Sequence, residues 1–276
     1  MTITAQDVNK LRQATGAGMM DCKKALTEAN GDFEEAIVIL RKKGQKISAN
    51  RADRETTEGA VFIHINETAT KGIIFSLGCE TDFVGKNEGF LSLGKTILDT
   101  AIAHNPADAE ALNVIVVNGL PISEHIVEFV GKIGEKIEVV RYQHIEADKV
   151  SSYIHSNKKL GVLIGLNGVG SADVTEMGKD IAMQIASMKP IAVDRSSVDA
   201  TVVEREIEIG KDQARQEGKP EAMLEKIALG KLNKFYEENT LLEQKFVKDG
   251  ALTIQQLIEK HGASIKVPAF YRVALG

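Results

Sequence analysis

Three sets of residues in this 276-residue chain have types or spacing that could do chemistry. The stretch GFLSLGKT, Gly89 to Thr96, satisfies the phosphate-loop pattern G-x-x-x-x-G-K-[ST], in which backbone amides cradle phosphates and the lysine neutralises them. His64, His104, His125, His144, His155 and His261 are the candidate metal ligands or general bases, and Cys22 and Cys79 the candidate nucleophiles. Context speaks against each. A phosphate loop needs a buried strand before its first glycine and a small, open loop, whereas VGKNE precedes Gly89 and Phe90, Leu91 and Leu93 are bulky. The glycine-rich GLNGVGSAD at 165–173 resembles a phosphate cradle only loosely and reads as a strand-to-helix turn. No histidine has the i, i+4 spacing of H-E-x-x-H, no G-x-S-x-G elbow is present, and Cys79 lacks a local nucleophile signature. The chain therefore reads as a non-enzyme with no metal and no cofactor.

A different kind of chemistry is suggested by CETDFVGKNEGF, 79–90, where Phe83 follows Glu80, Thr81 and Asp82 in a run too polar for a buried strand. An exposed aromatic beside carboxylates is suited to entering another protein's pocket. Asp82 has two readings: a charge directed at groups of a partner, or a cap for the helix that starts near Asn87. Met19 and Met20, beside a glycine-containing turn, suit either helix packing or a protein-docking face.

The composition allows a sizeable core: 43% of residues are hydrophobic. With 34 basic residues against 39 acidic, no global basic field draws the chain to nucleic acid or an anionic membrane. Two well-separated cysteines fit free thiols in a reducing compartment, and no apolar run approaches the roughly 20 residues of a bilayer span. The start, MTITAQDVNKLRQ, has no apolar core of signal-peptide type, so a soluble, cytoplasmic protein is expected.

The elements that must position these residues follow from periodicity. Residues 1–50 read as a three-helix module: Thr4 caps the first helix, MMDCKKALTEA forms the second, and Asp32 caps a third that Lys42 and Lys43 complete before Gly44 stops it. The polar GQKISANRADRETTEG reads as a linker. Two similar α+β subdomains follow, at 51–147 and 148–276. GIIFSL at Gly72–Leu77 has a counterpart in GVLIGL at Gly161–Leu166, and LGKTILDTAIAHNP aligns without a gap on MGKDIAMQIASMKP, matching Gly94 with Gly178 and Pro106 with Pro190. Each unit reads as a hairpin followed by a helix that ends at proline. This pairing also explains Gly94-Lys95 as a shared helix position. Within the second unit, 198–240 carries a charged helical hairpin whose seam includes Val203, Ile207, Gly210, Ala214, Leu224, Ala228, Leu232 and Phe235, the pattern of a projecting arm. Thr253 caps a short helix, and Pro268 places the final strand at a sheet edge.

The string LRQATGAGMMDCKKALTEANGDFEEAIVILRKKG at 11–44 closely resembles the N-terminal, ubiquitin-associated-like module of bacterial elongation factor Ts. ETDFV at 80–84 resembles that family's TDFV signature, and KIGEKIEVVR at 132–141 and SSYIHSNKKLGVLIGL at 151–166 match later segments in order. The resemblance spans nearly the whole chain. It implies a guanine-nucleotide exchange factor that binds elongation factor Tu in its GDP-bound and nucleotide-free forms, and disturbs its magnesium and phosphate sites so that GDP leaves. Thr81, Asp82, Phe83 and Val84 take the magnesium-displacing role. Ile133, Gly134 and His155 fall at further partner contacts, and Cys22 and Lys23 lie on the docking module. The helical hairpin matches an excursion that supports dimerisation in some members, so a homodimer through the arm is one expectation. Many members continue past the RVALG-like strand with a short acidic helix, whereas this sequence stops at Gly276; partner contacts there are either lost or replaced. The competing classes are an enzyme that binds nucleotide at GFLSLGKT, and a structural adaptor that binds the GTPase without accelerating release.

Overall fold

The computed structural model of the protein describes residues 3–276. The fold is α+β. Its first three helices are α1 (Ala5–Thr15), α2 (Met19–Glu28) and α3 (Phe33–Asn50). Thr4 caps α1 in a reciprocal capping box with Asp7, and the Asp32 carboxylate accepts from the Glu35 N–H at the start of α3. Val8, Leu11, Cys22, Ala25, Leu26 and Ala36 close a small core between them.

Gly44 does not end the third helix. α3 runs on through six residues of the expected linker, because Gly44 is a crossing point: a Cβ there would lie 2.9 Å from the Val127 carbonyl oxygen of the helix packed against it. Lys43, expected to serve the helix end, instead pairs with Asp21 of α2 at 2.5 Å.

The chain then forms β1 (Glu58–Ile65), β2 (Lys71–Cys79), α4 (Asp82–Gly85), α5 (Glu88–His104), α6 (Ala109–Asn113), β3 (Val116–Val117), β4 (Leu120–Pro121), α7 (Ile122–Ile133) and β5 (Ile137–Glu146). There follow β6 (Lys149–Ile154), β7 (Leu160–Leu166), α8 (Thr175–Met188), α9 (Ala200–Gln216), α10 (Glu221–Asn239), β8 (Lys245–Phe246), β9 (Asp249–Thr253), α11 (Ile254–His261) and β10 (Phe270–Ala274). Two antiparallel three-stranded sheets result, ordered β1-β2-β5 and β10-β7-β6. Alternation along β2 sets the layers: Ile73, Phe75 and Leu77 face α5 and α7, while Ile74 joins Val61, Ile145, Val150, Leu163 and Val273 between the two sheets. On the far side, Val162, Ile164 and Leu166 pack on α8 and α11. The body is a helix–sheet–sheet–helix sandwich.

The segments that align in sequence occupy equivalent places. α5 and α8 each end on a residue in the left-handed region, Asn105 and Lys189, followed by Pro106 and Pro190. At Gly94 a Cβ would meet the Phe62 ring at 2.0 Å, and at Gly178 it would meet Ser151 Oγ at 2.2 Å, so each glycine lets its helix close on the first strand of its hairpin. α9 and α10 form the arm, with Gly210, Ala214, Leu224, Ala228 and Leu232 buried along its seam. β10 is an edge strand that begins after Pro268.

Candidate functional site

GFLSLGKT lies wholly within α5. Its amides are committed to helix hydrogen bonding beyond the first turn, where the Asn87 side chain accepts from Gly89 and Phe90. Asn87, not Asp82, therefore caps this helix. The structural role of Gly94 is contact with Phe62, and Lys95 points to solvent.

ETDFV, in the run too polar for a buried strand, contains the single helical turn α4. Thr81 is its N-cap, its hydroxyl accepting from the Val84 N–H at 3.4 Å. Asp82 sits in the first turn and pairs with Lys86 at 2.6 Å, a hydrogen bond that holds its carboxyl below the usual aspartate range. The turn can sit flat on β1 because Gly85 comes against Gly59, where a Cβ would be 3.1 Å from the Gly59 Cα. Val84 is buried beneath it. Phe83 is 83% exposed, the most exposed of the large hydrophobic side chains among the described residues. A turn with one apolar residue anchored and the next turned out to water presents a ring that its own subunit does not use.

The support comes from residues far away in sequence. Glu135, in the connection from α7 to β5, accepts from the Thr81 N–H at 3.0 Å and from the Thr81 hydroxyl at 2.7 Å. Glu80 accepts from the Lys136 N–H at 2.6 Å and from Arg51 Nη1 at 2.7 and 2.8 Å. Burial pushes the Glu80 carboxyl upward, but these donors outweigh it and leave it below the usual glutamate value. The Cys79 thiol donates to the Thr81 carbonyl at 3.2 Å; burial first, then the charges of Glu135 and Glu58, push it up to about 12.

The residues singled out in the sequence divide into two groups. Thr81, Asp82, Phe83, Val84, Ile133 and Gly134 come together through these bonds. Gly134 closes α7 in the left-handed conformation, and among the described residues nothing beyond its chain neighbours comes within 4 Å of where a Cβ would stand, so bare backbone is open beside the turn. His155 is exposed and hydrogen-bonds through Nδ1 to the Tyr153 hydroxyl at 2.8 Å. It opens the β6–β7 turn, whose residues Ser156–Lys159 form one wall of a cleft of about 630 Å³; Asp82, Gly85 and Lys86 form the other. Cys22 and Lys23 lie apart on α2. Cys22 is fully buried, its thiol donating to the Ala17 carbonyl, so it braces the module from inside and offers a partner no surface, while Lys23 is exposed. Met19 and Met20, for which packing was one expectation, are 56% and 64% exposed. Sequence inspection missed Glu80, Glu135 and Arg51 as supports, since only the long-range fold brings them together.

No helix among the described residues is long and apolar enough to cross a membrane. The site is thus an aromatic held outward on a braced turn, beside a cleft and open backbone. The elongation factor Ts family model matches residues 80–276. The chain is 54% identical over 276 residues to elongation factor Ts of Amoebophilus asiaticus, with 100% of both chains covered, and 54% identical over 275 residues to that of Cytophaga hutchinsonii, with 99% of both covered. It is 44% identical to that of Porphyromonas gingivalis over 279 residues, covering 100% of this chain and 99% of the relative. The chain belongs to the elongation factor Ts family, a family of translation elongation factors.

Proposed function

We propose that this protein is the guanine-nucleotide exchange factor for elongation factor Tu, acting through Phe83. The observation that carries the reading is the ring itself, 83% exposed at the tip of a turn whose neighbouring residues are anchored. The turn meets the GDP-bound GTPase, the ring wedges between its helices, and the magnesium and phosphate sites are disturbed. Magnesium ties nucleotide phosphates to the protein, so its displacement removes much of the electrostatic hold on GDP. The factor has no need to touch the nucleotide. By linkage, the free energy gained on binding the nucleotide-free GTPase over the GDP-bound form is the same amount by which GDP is weakened. A coupling of about 4 kcal/mol loosens GDP roughly a thousandfold.

Ile133, the open Gly134 backbone and His155 extend the contact on either side of the turn, and Lys23 with Met19 and Met20 forms a second docking face on α2. The arm exposes Ile209, Met223 and Leu229, which a homodimer through the hairpin would cover. The test is stopped-flow release of fluorescent GDP from purified elongation factor Tu, with and without this protein. Acceleration that saturates with factor concentration is expected. Binding without acceleration would leave only an adaptor, and retention of labelled GTP by the isolated chain would favour the nucleotide-binding alternative.

A further inference from the structure

The β2–β5 ladder ends at the pair Cys79–Ile137. Beyond it the same register sets residue 80 opposite 136 and residue 81 opposite 135. The two chains are still joined there, but not by backbone carbonyls. The Glu80 carboxylate takes the Lys136 N–H at 2.6 Å, and the Glu135 carboxylate takes the Thr81 N–H at 3.0 Å. Each glutamate thus receives the amide of the residue that follows the other, and side-chain acceptors stand in for main-chain ones. A backbone ladder would hold the chain flat along the strand. Carboxylate acceptors keep the donors satisfied while freeing the chain to bend into α4.

Glu135 does one thing more. It also receives the Thr81 hydroxyl proton at 2.7 Å, which leaves the oxygen lone pairs of Thr81 to accept from Val84 and cap α4. We propose that Glu135 is a positioning residue for Phe83, acting through Thr81, and that the crossed Glu80–Glu135 clasp makes the wedge turn a rigid extension of the sheet. This rests on the reading of Phe83 as the exchange wedge. A ring whose backbone is already ordered loses little freedom on insertion, so the clasp acts on how productively the ring enters rather than on adding contacts.

The test is a double-mutant cycle on the full chain, read by fluorescent GDP release from elongation factor Tu, with the maximal rate and the half-saturating factor concentration measured separately. Glu135→Ala lowers the maximal rate by about 10- to 100-fold, the scale of a misplaced catalytic contact. It shifts the half-saturating concentration by less than about threefold, since the contact residues remain. Glu135→Gln keeps one carbonyl acceptor and recovers part of the rate. In a Phe83→Ala background, Glu135→Ala costs less than about twofold, because the two residues act as one unit. Equal losses from Glu135→Ala in both backgrounds, or wild-type rates for Glu135→Ala, overturn the positioning role. Wild-type rates for Phe83→Ala alone overturn the wedge reading itself, and this inference with it. Circular-dichroism melting of each variant separates lost positioning from lost folding.

Discussion

Replacing Phe83 by alanine separates the two lives of that ring, in the free protein and in the complex. In the free protein it belongs to none of the buried clusters and is 83% exposed, so its removal shifts unfolding free energy by no more than about 0.5 kcal/mol, the usual range for exposed sites. Fully burying a phenylalanine is worth about 1.5–3 kcal/mol, and roughly four-fifths of that remains to be gained on docking. Burial alone therefore predicts a loss near 2 kcal/mol, about 30-fold in the coupling to GDP, at 1.4 kcal/mol per factor of ten. Interface anchors that also displace partner groups reach about 4 kcal/mol, or a thousandfold. The assay is the release rate of fluorescent GDP from elongation factor Tu at saturating factor, beside a thermal melt of the variant alone. Release at the wild-type rate by a variant that melts like the wild type refutes the reasoning, because the exposed ring would then serve neither fold nor exchange. A fall in melting temperature of more than a few degrees refutes the premise that the subunit does not use the ring.

Gly94→Ala forces a Cβ into the Phe62 ring, itself stacked on Phe75 at 5.0 Å, and costs about 1–2 kcal/mol net of the alanine's better helix propensity; Lys95→Ala stays within about 0.5 kcal/mol. Urea unfolding checks both, and filter retention of labelled GTP unchanged by Lys95→Ala excludes a phosphate loop. Glu80 has its folded pKa depressed below the ordinary 4.5, so its contribution to stability is fully present above that value and is lost as pH falls through the folded pKa. Glu80→Gln is accordingly less stable than wild type at pH 7, and the two melting temperatures converge as the pH is lowered through the depressed folded pKa. Cys79, raised to about 12 and buried, resists alkylation by iodoacetamide at pH 8 in the native protein and reacts on unfolding in urea. Rapid native labelling, located by peptide mapping, would contradict that environment.

What was legible in the sequence was whatever depends on near neighbours. Thr4, Asp32 and Thr253 cap their helices because a short oxygen-bearing side chain before an apolar-periodic run has few other roles. The arm seam and the hairpin-then-helix units follow from period alone. Gly44 shows where locality fails: after two lysines it looks like a helix stop, and only the approach of α7 makes it a crossing point. In the site, the outward ring was legible because Phe83 stands in a polar run, yet α4, a single turn, is too short to leave a periodic trace. Cys22 could be placed on the right helix but not on the right face of it. The clasp was illegible, since Glu135 and Thr81 are 54 positions apart and neither has a local pattern that names the other.

The second half of the body holds a counterpart to the junction that carries Phe83. β7 leads toward α8 as β2 leads toward α5, and β10 lies beside β7 as β5 lies beside β2. At the second junction Asn167 and Lys266 exchange both of their N–H to carbonyl bonds at 2.9 Å. Gly168 is then fixed from two sides, by Asp148 and by Ser264, and Val169 is tucked into the core at 6% exposure. The second junction thus seals its apolar residue, with the Asp148 carboxylate and the Ser264 hydroxyl holding the turn. In the first unit the Glu80 and Glu135 carboxylates hold the turn, Val84 is buried and Phe83 goes outward. The exposed ring makes no buried contact in the free protein, which is the arrangement the proposed wedge role requires.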